Sequence, residues 1–228
     1  MYDRNYKSEC LRQEGICSAD PSKIEVNHMR EFDEKKLDRR LRALPSLKQL
    51  AFLLLLCERM MPEFRRFARD TGFDLTVYID CLEKGWEYFG GEASPHVYEA
   101  LAKACIESAP DTEEFDHPLT SAALDAALSI SYLMTFLLDH SVNHIVDVAG
   151  LARDTVALFV ENTEAVHPYS LSLDRVAQHR LMQQELKRQE EDLVFLEHLP
   201  NDVNQAAIST LKGRSKDPPE MLQTSVGT

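Results

Sequence analysis

Eight consecutive apolar residues, Leu50 to Cys57, constrain this chain more than any other feature. They lie within a longer stretch in which Leu47, Leu50, Phe52, Leu53, Leu54, Leu56, Met60, Phe64 and Phe67 fall on helical spacing. A helix apolar on nearly all sides must be surrounded by other elements. The run is too short to cross a bilayer, which takes about 20 residues. The spacing therefore predicts a buried central helix, starting at a Ser46 cap and closed at Thr71-Gly72, where glycine supplies a left-handed cap. Pro62 falls inside it and predicts a kink. Leu53 and Leu56 are expected to be almost fully buried.

The remaining periodicity is helical throughout. Phe32, Leu37, Leu41 and Leu44 mark a first helix from near Arg30 to Pro45. Asp74 caps a third, with Leu75, Tyr78, Leu82 and Trp86 on its stripe. Ser94-Pro95 opens a fourth that ends by Pro110. A fifth is expected from near Pro118 to Asp139 and a sixth from Asn143 to Asn162. A long charged helix runs from Leu173 to His198, and a short one from Asp202 to Leu211. Strand alternation and internal repeats are not seen. The expected fold class is all-α: a single-domain helical bundle of seven or eight helices with no sheet, over residues 29–212. Residues 1–28 read as a partly disordered N-terminal extension, and 213–228 as a flexible C-terminal tail.

The net charge is −13, and only 8 of 228 residues are glycine. The charge argues against nucleic acid and anionic membrane surfaces as partners. The glycine scarcity argues against phosphate-cradling loops. The charge is also uneven: residues 70–174 hold 19 acidic and 3 basic side chains, whereas residues 30–69 hold 6 and 11. The acidic block serves solubility or faces a basic protein partner. Its densest part is Asp111, Glu113, Glu114 and Asp116, in a polar segment between two helices. Asp116 is placed to cap the fifth helix. The five cysteines match no disulfide or zinc framework, consistent with a reducing, cytoplasmic setting.

Short catalytic motifs are absent, no catalytic residue is assigned, and no cofactor or metal is implied. His140, His144 and Asp147 have metal-ligand spacing, but Ser141 and Asn143 between them mark a helix junction. Glu58-Arg59 interrupts the most apolar helix. A buried charge must be paired, so these two are read first as members of a structural polar network. The arginines at 65, 66 and 69 and the basic group from Lys35 to Arg42 read as solvated helix faces. The Gln-Gln-Glu-Leu-Lys-Arg-Gln-Glu-Glu-Asp stretch of the long charged helix reads as an exposed polar stripe, able to pair with a second copy of the chain.

Four stretches together carry a family resemblance. They are Leu56-Cys57-Glu58-Arg59-Met60-Met61-Pro62-x-Phe64 with Thr71-Gly72-Phe73; Trp86-Glu87; Ser108-Ala109-Pro110-Asp111-Thr112-Glu113-Glu114-Phe115-Asp116; and Ala122-Ala123-Leu124-Asp125-Ala126-Ala127. The chain resembles the YjaG-like family of bacterial proteins over roughly residues 30–212. The resemblance implies an all-helical cytosolic protein and no particular reaction. It puts Glu58, Arg59, Trp86, Asp116 and Asp125 at motif positions. The function expected from these readings is non-enzymatic protein binding, in its narrowest form an immunity protein that neutralises a basic toxin domain. The alternatives are a self-associating scaffold, such as a homodimer, and an enzyme built on a carboxylate site.

Overall fold

The computed structural model describes residues 29–91, 94–164, 172–201 and 203–215. The extension over 1–28 lies outside them, as does the expected tail except for residues 213–215, which are helical and continue the last helix to Ser215. The protein is all-α, with nine α-helices and no strand among the described residues: α1 Glu34–Arg42, α2 Ser46–Thr71, α3 Thr76–Glu87, α4 Pro95–Glu107, α5 Thr120–Asp139, α6 Val142–Glu164, α7 Leu173–Gln178, α8 Arg180–His198 and α9 Gln205–Ser215.

The centre is α2. It packs against α3, α5, α6, α8 and α9, and Leu50 to Cys57 are all buried, Leu53 and Leu56 completely. Its 26 residues span about 39 Å. It continues through Pro62, whose missing N–H leaves the Glu58 carbonyl without its usual donor. It ends at Gly72, with φ +79°, whose N–H bonds the Ala68 carbonyl at 2.8 Å. At the other end Pro45, not Ser46, occupies the cap position; its carbonyl takes the N–H groups of Lys48 and Gln49. Gln49 then donates to the carbonyls of Leu41 and Leu44 at the end of α1. One buried amide thus joins two consecutive helices at their corner.

Around α2, α5 makes broad contact with α4 and α6. The 20-residue α5 is long and apolar enough to cross a membrane by length and composition alone, with an 18-residue stretch of mean hydropathy 1.5, and 56% of that stretch is buried within the fold. Ser129, Ser131 and Thr135 break its apolar runs while bonding backbone carbonyls. A left-handed residue, His140 at φ 53°, turns α5 into α6. Basic α1 is tied to α8 by Arg40, which bonds Glu190 and Glu197 at 2.7 Å each.

The helix count exceeds the expected seven or eight because the long charged helix is two. His179 is extended between α7 and α8, and its Nδ1 accepts the Leu181 N–H at 3.2 Å, capping α8. Helix starts also differ: α6 begins at Val142 and α9 at Gln205, and three others are set by local contacts. Asp33 caps α1, so it begins at Glu34 rather than near Arg30. Asp74 accepts from Thr76, so α3 begins there. Helix α5 begins at Thr120, whose hydroxyl bonds the Phe115 and His117 carbonyls, while His117 accepts the Leu119 N–H. These contacts occupy the capping role expected of Asp116, which is exposed.

Candidate functional site

The sequence-derived candidates separate into three places. The first is the loop between α4 and α5. An Asp111 side-chain oxygen accepts the Glu113 N–H at 2.8 Å, and the Asp111 carbonyl accepts the N–H groups of Glu114 and Phe115. Phe115 turns inward and meets Phe67 and Phe73 edge-on, with ring centroids 5.2 and 5.9 Å away. The loop is pinned by one aromatic side chain, and Asp111, Glu113, Glu114 and Asp116 all face solvent. Next to it in the chain, α3 and α4 add exposed Asp80, Glu83, Glu87, Glu99 and Glu107.

The second place is the middle of α2, where Glu58 and Arg59 turn to different neighbours. Successive helical residues point about 100° apart. Glu58 accepts the indole N–H of Trp86 on α3 at 3.0 Å. Arg59 reaches α8, pairing through Nη1 with Asp192 and lying 3.6 Å from Glu185 through Nη2. Its side chain is 8% exposed, and those of Glu185 and Asp192 are similarly buried. Arg214 of α9 closes the far side, bonding the other Asp192 oxygen at 2.7 and 3.0 Å. Gln189 links Glu185, at 2.9 Å, to the Ala149 carbonyl of α6, at 3.2 Å. The expected polar network therefore exists, but Glu58 is not Arg59's counter-ion.

The stripe on α8 read as exposed is accordingly corrected: Glu185, Gln189 and Asp192 are buried within the chain's own core. The missed signal is periodic. Met182, Glu185, Gln189, Asp192 and Leu196 follow a 3-4-3-4 spacing, the spacing of a helix's packed seam. Polar residues on that seam must find partners, and Arg59 is the cation inside an apolar helix that needs them.

The third place lies where the C-terminal half of α2, the start of α5 and the end of α6 enclose a cavity of about 350 Å3. Glu63 and Arg66 line it from α2, Leu119 from the residue before α5, Ala122 from α5, and Thr155 and Phe159 from α6. Behind its wall, Thr155 donates to Asp125 at 2.8 Å. Burial raises the Asp125 carboxyl above the usual range, and this hydrogen bond partly opposes the effect. Sequence reasoning missed Glu63, although its spacing from Met60 and Phe67 puts it on the buried face of α2. The histidines near the α5–α6 turn do not converge with Asp147: His144 bonds Asp139 at 2.9 Å, and His140 forms the turn.

Comparison with known proteins agrees with the sequence resemblance. Residues 36–218 match the family described as "Protein of unknown function (DUF416)". The uncharacterized protein YjaG of Escherichia coli K12 is 27% identical over 190 residues, covering 82% of this chain and 93% of that protein. An uncharacterized protein of Haemophilus influenzae is 24% identical over 139 residues, covering 60% and 70%. In three dimensions, the crystal structure of a DUF416 family protein from Shewanella baltica superposes with a TM-score of 0.68 at 22% identity, covering 83% of this chain and 95% of that one. On a match that spans most of its length, this chain belongs to the DUF416 family.

Proposed function

We propose that this protein is a non-enzymatic binding protein that takes a basic protein partner on the acidic surface formed by α3, α4 and the loop from Asp111 to Asp116. The observation that carries the reading is the anchored loop. Phe115 fixes it to the aromatic cluster while four carboxylates within six residues stay in solvent. Loops held by a rigid scaffold commonly carry binding residues. A preordered acidic patch steers a basic partner and loses little entropy on contact. A basic toxin domain is one partner with this chemistry, and a cytoplasmic setting goes with that form of the reading.

The test uses wild-type protein and the triple variant Asp111→Ser/Glu113→Ser/Glu114→Ser as baits in native extract. Partners retained by wild type alone are then followed by association kinetics at two salt concentrations. The reading expects a basic partner, a slower association for the variant and a flatter salt dependence, since exposed charges are screened within about 8–10 Å at physiological ionic strength. Equal capture, with equal rates and salt slopes, would refute it.

A further inference from the structure

The cavity enclosed by α2, α5 and α6 holds an anomaly that the acidic surface does not explain. Glu63 is 7% exposed and lines a space of about 350 Å3. Among the described residues its carboxyl accepts from its own backbone N–H and from no other side chain. The buried acids of α8 differ in this respect: Glu185 meets Arg59 and Gln189, and Asp192 meets Arg59 and Arg214. The Arg66 charge, one turn along α2, only partly opposes the effect of burial, and no described cation comes within ion-pair distance of the Glu63 carboxyl. A buried carboxylate left so weakly paired costs several kcal/mol, on the order of the desolvation of one ion.

We propose that this cavity is a binding site for a small organic cation, a primary ammonium group on an apolar body, with the Glu63 carboxylate as its counter-ion. Three observations converge. Besides Glu63 the lining includes Leu119, Ala122, Leu158 and Phe159, an apolar surface that suits a hydrocarbon or aromatic body. The volume lies at the small end of the roughly 300–1,000 Å3 typical of ligand pockets, which excludes large ligands. Arg66 and His117 also line the cavity, but Asp70 lies 3.9 Å from Arg66 and 3.8 Å from His117, so each already has an acidic neighbour besides Glu63, and a second acid, Asp125, stands behind Thr155. Thr155, Asn162 and Thr163 supply oxygen acceptors for the remaining ammonium hydrogens. In the free protein, burial pushes the Glu63 carboxyl up to about 7. An ammonium ligand that pairs with the ionised form displaces that proton, so binding tightens with rising pH through neutrality.

The probe is 2-phenylethylammonium, compared with the neutral 2-phenylethanol and the anionic 3-phenylpropionate. Binding to the full chain is followed by ligand-observed NMR and by calorimetry in two buffers of different ionisation enthalpy. The ammonium probe should bind at least about tenfold more tightly than either control, a difference of about 1.4 kcal/mol. It should release protons below about pH 7. Glu63→Gln, which removes a costly charge and keeps the shape, should abolish the preference for ammonium. Ala122→Phe, which fills the space and leaves Glu63 in place, should abolish binding of all three. No binding by the ammonium probe at millimolar concentration, equal binding by the alcohol, or an unchanged preference in Glu63→Gln would each overturn the proposal. The wild-type comparison of the three probes stands even where a variant fails to fold. None of these outcomes depends on the acidic loop.

Discussion

Replacing Arg59 by Met keeps most of the side-chain volume and deletes the charge at the centre of the α2–α8–α9 network. In the folded protein Asp192 loses the pairing to Nη1 but keeps two bonds to Arg214, at 2.7 and 3.0 Å. Glu185 loses a counter-ion at 3.6 Å and keeps the Gln189 amide at 2.9 Å. Breaking a buried pair by removing one partner costs about 3–5 kcal/mol. The surviving Arg214 contact places the expected loss near about 3 kcal/mol. For a chain of this size that lowers Tm by about 6–12 °C, at roughly 2–4 °C per kcal/mol. Urea unfolding followed by far-UV circular dichroism measures it, with an unchanged m-value to show that the same surface is exposed on unfolding. A triple variant, Arg59→Met with Glu185→Met and Asp192→Leu, should recover most of the loss, because the buried charges go together and the one left without its partner, Arg214, is one-third exposed and can turn to water. The exposed pair Lys103–Glu107 serves as control: Lys103→Ala should cost under about 1 kcal/mol. If Arg59→Met costs less than about 1 kcal/mol, the network is not a structural element and the account of α8 is wrong.

Three further outcomes are expected. Leu56→Ala should lose about 2–5 kcal/mol in the same unfolding experiment, since the side chain is fully enclosed and the gap cannot collapse freely. Gly72→Ala should cost about 1–2 kcal/mol, because its φ of +79° strains any side-chain-bearing residue even though open space surrounds the position. Glu63 should impose a pH slope on stability. Its folded-state proton affinity is raised, so its contribution is fully present below the ordinary carboxylate range and is lost as pH rises through about 7. Glu63→Gln should therefore match wild type near pH 4 and exceed it by about 3 kcal/mol near pH 8, as read from urea midpoints across the range.

The parts of this fold that are legible from sequence are those in which one residue type has one physical solution. Leu50 to Cys57 can only be buried, and Gly72 after Thr71 can only close a helix economically. Proline before a helix is harder to read, because a serine beside it offers a more familiar cap; Pro45 and Ser46 exchange roles for that reason. The break at His179 leaves no periodic trace, since α7 and α8 are both helical and the cap is an imidazole rather than a hydroxyl or carboxylate. The buried acids are the hardest. Glu185, Gln189 and Asp192 look like surface residues until Arg59 and Arg214 are brought beside them, and Arg59 lies far away in sequence. Glu58 and Arg59 stand out as anomalous in an apolar helix, but adjacency in sequence suggests a shared fate that helical geometry forbids. Trp86 proves to be Glu58's donor, and Asp125 finds Thr155. The acidic loop is exposed, as its composition suggests, while the inward turn of Phe115 that holds it requires the three-dimensional aromatic cluster.

The separation between Arg59 and Asp192 also governs how the protein is made. Helix α2 leaves the ribosome before α8, and the carboxylate that neutralises its buried cation follows 133 residues after Arg59. At about 5–20 residues per second, translation of that interval takes roughly 7–27 s. Throughout it the nascent chain carries the apolar Leu50–Cys57 run of α2 without α8 and α9 to cover that helix. An α2 already packed with α3, α5 and α6 must keep open the face that the last two helices will fill. Synthesis thus opens a window for chaperone capture or aggregation on one known surface, and it closes only when the C-terminal helices dock.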